Sequence, residues 1–229
     1  MKMKFGAIVT DGRGKIGGHV ASKNRAGAYL RTKVTPVNPS TSFQQAVRNR
    51  LSGLSQAWRD LTDAQRATWN SAVEGFSRTD IFGDIKNPTG FNLYVRLNAN
   101  LEVVGEAAID EAPQPSEVAN VTAGVAVVNL TGDVGTIAFT PTVPAGMAVV
   151  VRATPGQSPG KSFVKSEFRI ITTLAAAATS PADIFAAYEA KFGTPVEGTR
   201  IFFQLTTVNI TTGQVSVPSQ TSTIVIDSV

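Results

Sequence analysis

The chain has no cysteine and a single histidine, His19, among its 229 residues. That excludes disulfide frameworks, thiolate metal sites and cysteine nucleophiles, and leaves any Ser-His-Asp triad dependent on one residue. Long apolar runs are missing too: none approaches the roughly 20 residues a membrane-spanning helix needs. The opening MKMKFGAIVTDG carries two lysines but only a short apolar patch, too little for a signal peptide. No pair of acids stands out for acid–base chemistry. Asp80, Asp84 and Asn87 lack the order and the closing glutamate of an EF-hand loop. No catalytic residue, cofactor or metal is expected. At 42% hydrophobic and 17% charged, the chain is neither disordered nor coiled-coil-like in composition.

Acids are scarce at one end. Residues 1–60 hold 11 Lys/Arg against only Asp11 and Asp60, whereas residues 61–110 hold four against seven and residues 111–229 six against eight. The net charge of +4 therefore hides a strongly basic amino-terminal end. Such an end suits an acidic partner, whether nucleic acid or the acidic face of a neighbouring subunit.

Within that end, Gly12-x-Gly14-x-x-Gly17 has the spacing of a dinucleotide-binding loop. A working loop needs an amphipathic helix behind it and an acid about 20 residues on. Here residues 18–27 show no apolar stripe, and Arg31-Thr32-Lys33 stands where the acid belongs. The nucleotide reading fails. The glycines instead read as allowing close backbone approach in an extended arm, of a kind that orders on a neighbour.

Four regions follow. Residues 1–39 read as an extended, basic, Gly-rich arm, with Phe5–Val9 a strand candidate. Val20–Ser22 and Ala28–Val34 flank a polar Lys23–Gly27 turn, as in a hairpin. Tyr29, Arg31 and Lys33 would share one face. Residues 40–106 read as three helices. The first has Phe43, Val47, Leu51, Leu54, Trp58 and Leu61 in one apolar stripe, and Thr41/Ser42 cap its start. Thr62-Asp-Ala-Gln65 starts a second helix, striped by Trp69, Val73 and Phe76; a third carries Leu93, Leu97, Leu101 and Val104. Both tryptophans fall on stripes and read as core.

Residues 107–117, with Pro113 and Pro115 among acids, read as a linker. Residues 118–229 alternate β-rich runs with Gly, Pro, Asp and Asn, the pattern of a β-sandwich. One helix interrupts them, capped by Ser180, with Pro181 in its first turn and Gly193 ending it. The fold class expected is α+β: a hairpin-bearing arm and a three-helix region, then an Ig-like sandwich.

The residues expected to meet a partner are Arg13, Lys15, Lys23, Arg25, Tyr29, Arg31, Lys33 and Arg48. A protein partner is favoured over nucleic acid, because the arm offers one aromatic for base stacking. His19 reads as a loop residue. For glycans the ring candidates are Phe139, Phe163, Phe168, Phe202 and Phe203. Phe202 and Phe203 are adjacent, so one must point away from the core.

Two stretches carry resemblances. Gly17-Gly18, Arg31-Thr-Lys33, Pro36-x-Asn38-Pro39, the Gln44–Arg50 helix and Trp58-x-x-Leu61-Thr62-x-x-Gln65-Arg66-x-x-Trp69 come in an order that resembles the amino-terminal region of tailed-bacteriophage proteins. Asn87–Leu101 is similar to the helix that closes that region. Arg200–Ile226, a strand, a Thr-Gly turn and a returning strand, resembles the last hairpin of a fibronectin-III or immunoglobulin-like module. These likenesses imply a non-enzymatic virion protein, an auxiliary or decoration protein of the capsid, with a neck or tail component as the alternative. They imply other virion subunits as partners, homo-oligomers in the particle, no membrane, and assembly in the host bacterial cytoplasm. A cysteine-free chain suits that reducing compartment.

Overall fold

Alternation, rather than helical spacing, governs the amino-terminal residues, and strands result. The computed structural model describes residues 1–6, 11–24 and 27–227. β1 (Lys2–Met3), β2 (Gly14–Ile16), β3 (His19–Asn24) and β4 (Gly27–Thr32) form an antiparallel sheet in the order β1-β4-β3-β2. The turn from β2 to β3 passes through Gly17 at φ 56, a left-handed conformation that favours glycine. The arm is thus a small sheet, and His19 opens a strand rather than sitting in a loop. Most of the Phe5–Val9 candidate and the hairpin tip at 25–26 lie outside the described residues. Ala21 is the only buried residue among those described in 1–40, so this sheet has no core of its own. It is held instead by Lys2 and Lys4, which lie 3.5 and 3.0 Å from Asp80 and Asp84. Those acids belong to a hairpin of β5 (Arg78–Thr79) and β6 (Ile85–Lys86), in what reads from sequence as a plain loop.

Helices begin where their caps stand. Thr41 accepts from the Gln44 N–H ahead of α1 (Ser42–Asp60), and Thr62 with Gln65 completes a capping box ahead of α2 (Asp63–Ala72). A 3-10 turn, Val73–Phe76, follows; α3 (Gly90–Val104) starts at Thr89 and stops at Gly105, φ 85. Trp69 is fully buried against Tyr94, ring centroids 5.2 Å apart, and Trp58 closes on Tyr94 and Phe91 at 5.3 and 5.8 Å. Trp58, Trp69 and Tyr94, with Leu54, Leu61, Leu93 and Leu97, make the helical core.

The segment that reads as a linker is a bonded strap. Trp69 Nε1 donates to the Asp110 carbonyl at 2.7 Å. Asn98 both donates to Ile109 O (3.2 Å) and accepts from Ile109 N (2.7 Å). Farther on, Ser116 N donates to Gln214 Oε1 and Gln214 Nε2 donates to Gln114 O, at 2.8 and 2.7 Å. Prolines stop regular pairing here, so side chains satisfy the backbone instead.

Beyond the strap come β7 (Thr122–Asn129), β8 (Val134–Thr140), β9 (Met147–Ala153), β10 (Arg169–Leu174), β11 (Ala182–Asp183), α4 (Phe185–Phe192), β12 (Arg200–Asn209) and β13 (Ser219–Ile224). They build two antiparallel sheets, β10-β9-β12-β13 and β11-β8-β7. Val149, Val151, Phe203 and Leu205 from the first share one core with Val128, Ile137 and Phe139 from the second, and Phe185 and Tyr188 of α4 join them. The chain is therefore a mixed, α+β fold. α4 starts later than its sequence suggests: Ser180 Oγ accepts from Phe139 N, and Ala182 pairs with Ile137. Those residues serve the edge of β8, and Asp183 Oδ1 accepts from Phe185 N at the helix start. α3 lies on the other side of the four-stranded sheet, with Asn100 Nδ2 donating to Gly213 O at 2.8 Å.

Candidate docking surface

Register decides which cations of the amino-terminal sheet stand together. Lys15 is opposite Val20, and Val20 is opposite Arg31, so both cations project from the same face. Tyr29 lies on that face, opposite Ser22, with Lys2 beyond it on β1. Lys33 follows β4 as an exposed residue whose N–H donates to Gly18 O at 2.8 Å. Lys23 falls on the opposite face, where it and Arg13 share Asp11 at 3.9 and 3.6 Å. Arg48 stands apart on α1, its Nη2 2.7 Å from Asn38 Oδ1. Arg25 lies outside the described residues. Six of the eight expected contact residues thus separate into a face with Lys15, Tyr29 and Arg31, a pair on Asp11, and a cation on α1.

The α1 stripe departs most from its sequence reading. Its lower half packs as expected, with Leu54 and Leu61 buried, but Phe43, Val47 and Leu51 are 60%, 62% and 50% exposed. Leaving a large aliphatic or aromatic side chain in water forgoes roughly 1.5–3 kcal/mol of burial per residue. The incoming segment, residues 33–40, is exposed throughout and covers none of it. Arg50 turns toward α3, its Nε 3.2 Å from Glu102 Oε2. Lys191 of α4 sits over the Phe43 ring, 3.4 Å from the centroid. Burial, and next the like charge of Arg169, push the Lys191 ammonium below its ordinary pKa. Positive charge is in local excess around this stripe.

A second concentration of cations was invisible in the regional charge count. Arg78, Lys86 and Arg96, three of the four cations of residues 61–110, line a cleft between the β5–β6 hairpin and α3, and no acid lines it. Arg96 lies over the Phe76 ring at 5.5 Å. Desolvation and then Arg78 lower its pKa. Of the glycan ring candidates, Phe139 and Phe203 are core residues, Phe168 and Phe202 are half-buried, and Phe163 is exposed.

No family model, curated sequence or solved structure matches the chain. The chemistry of this surface is therefore what a functional reading has to explain. It offers cations, one tyrosine ring and an apolar helix stripe to a partner. Among the described residues, no helix is long and apolar enough to cross a membrane. Sequence periodicity located the α1 stripe but carried no sign of its exposure. The one available signal was the uninterrupted absence of acids from Gly12 to Arg59.

Proposed function

We propose that this chain is a non-enzymatic bacteriophage virion protein, an auxiliary or decoration component of the capsid that docks through its basic amino-terminal region. The observation that carries the reading is the α1 stripe of Phe43, Val47 and Leu51, exposed beside Arg48 and Lys191. Isolated exposed leucines are ordinary on any surface; a helical stripe of three beside cations has the composition of an interface. The order of motifs between Gly17 and Trp69, similar to that of tailed-phage proteins, supports the virion setting. We further read the two sheets that share one core as an Ig- or fibronectin-III-like sandwich carrying α4 as an insertion. In that reading it projects from the lattice or packs laterally, while the helical region and amino-terminal sheet hold the particle. Weak contacts suffice there, because symmetry multiplies each of them.

A neck or tail position is the second reading, and the same surface suits it. Quantitative mass spectrometry of purified particles separates the two. A copy number near that of the major capsid subunit, or a simple fraction of it, is expected for a decoration protein. About a dozen copies, the count of a symmetric ring, moves the chain to the neck or tail. Its absence from particles overturns the virion reading.

A further inference from the structure

The α1 stripe has a counterpart on another element of the same molecule. On the three-stranded sheet, residues 125, 127 and 129 of β7 and 134 and 136 of β8 face away from the core, as the burial of Ala126, Val128, Gly135 and Ile137 between them requires. Val125, Val127 and Val134 on that outer face are 72%, 37% and 40% exposed. The chain's end adds one more: Ile226 bridges in parallel to Asn129, its N–H donating to Val128 O and its carbonyl accepting from Leu130 N. That places its half-exposed side chain beside the valines. Acids flank this patch. Asp133 occupies the β7–β8 turn, and Asp227 accepts from Thr131 Oγ1 at 2.8 Å. Neither has an ion-pair partner among the described residues.

The two patches carry opposite charge. From Gly12 to Arg59 the chain contains nine Lys/Arg and no acid, whereas Asp133 and Asp227 stand at the sheet patch. Glu102 on α3 is already engaged by Arg50 of α1 at 3.2 Å. Pairing α1 with a second α1 would set Arg48 and the surrounding cations of one copy close to those of the other, a like-charge arrangement that disfavours symmetric association. Pairing α1 with the outer sheet face instead brings Arg48 and Lys191 toward Asp133 and Asp227. Shape agrees: Phe43 to Leu51 spans about 12 Å of helix. Two to three strands at about 4.8 Å spacing present an apolar width close to that length.

We infer that copies of this chain bind head to tail, the Phe43–Val47–Leu51 face of one copy seating on the outer β7–β8 face of the next. Two different patches meet, so the contact is heterologous and propagates into a ring or an open row according to the rotation between copies. The inference rests on the reading that the amino-terminal region docks on protein, and it names the protein as the chain itself.

Sedimentation velocity on the full chain and two surface variants tests it. Val47→Glu disables the helix face and leaves the sheet face intact; Val125→Lys does the reverse. Both positions are exposed, so circular dichroism should show native folding for each. Wild type is expected to grow in size with concentration, while each variant weakens its own association at least about tenfold. An equimolar mixture of the variants should then form a dimer and stop, because V125K supplies a working helix face, V47E a working sheet face, and no further face is free. If V125K alone still dimerises as wild type does, the contact is symmetric through α1 and the inference is wrong. A monomeric wild type, or a mixture no larger than its components, overturns it as well. Particle mass spectrometry keeps this apart from the virion reading. A chain present in particles but monomeric in solution refutes only the head-to-tail contact. A self-associating chain missing from particles refutes only the virion role.

Discussion

Tyr188 shows what one buried hydroxyl does to the pH range of this fold. It sits in the core between the sheets, its ring 5.1 Å from Phe192 and its hydroxyl donating to the Thr154 carbonyl at 3.2 Å. Burial disfavours the phenolate and pushes its pKa up to about 12. An unfolded tyrosine ionises near 10. Between these values the unfolded chain has released a proton that the folded chain keeps. Stability therefore falls as pH rises from about 10 to about 12 and levels off above. Tyr188→Phe removes most of that slope, and urea midpoints measured on either side of the window report it; an unchanged slope refutes the assignment. Tyr94 contributes a smaller part in the same direction, raised by burial and then by Asp110. At this scale the sequence was readable for Trp69, which lies on the apolar face of its helix, but it left open which of Phe202 and Phe203 is buried, and it gave no sign of Asn98. A lone asparagine on a helix looks solvated until its partner, 11 residues away, is known.

Among the elements, the strap over residues 107–117 departs from what its local chemistry predicts. Prolines and acids predict a free linker, and by propensity alone that reading is sound. The strap is ordered because its carbonyls and N–H groups meet side chains displayed by α2, α3 and the β12–β13 loop. Asn98→Ala leaves the Ile109 N–H without its acceptor, at an expected cost of about 1–3 kcal/mol. The urea midpoint should drop while its m-value stays constant, since the surface exposed on unfolding is unchanged. A variant as stable as wild type would mean that the strap is not bound in solution. The helices and most strands were legible, because caps and alternation act within a few residues. The start of α4 was not, because Ser180 and Ala182 are taken up by β8, more than 40 positions earlier in the case of Ser180.

The molecule as a whole depends on the seam between α3 and the four-stranded sheet. Gly213 stands there at φ 68, and a Cβ on it would fall 2.3 Å from the Leu97 carbonyl oxygen. Gly213→Ala combines backbone strain with a main-chain clash and should cost about 1 kcal/mol or more. Both tryptophans lie in the helical region, so their fluorescence follows that region alone, while circular dichroism also follows the sheets. Wild-type transitions by the two probes should coincide and those of G213A should separate. Coincidence in both would mean that the seam does not couple the regions. Charge, too, takes on meaning only at this scale. Residues 61–110 are acidic on average, yet three of their four cations share one cleft.

By itself the sequence determined the absence of thiol chemistry, the helices and the caps of α1 and α2, most of the strands, and the basic character of one end. All of these follow from composition or from interactions within one turn or one alternation of the chain. Tertiary structure alone decided which stripes are covered. Leu54 and Phe43 belong to the same helical face with the same spacing, yet α3 reaches only the first. Periodicity sets where an apolar face points, and burial depends on whether a distant part of the chain arrives to meet it. At Phe43, Val47 and Leu51, and on the outer face of β7 and β8, no element among the described residues buries the apolar side chains.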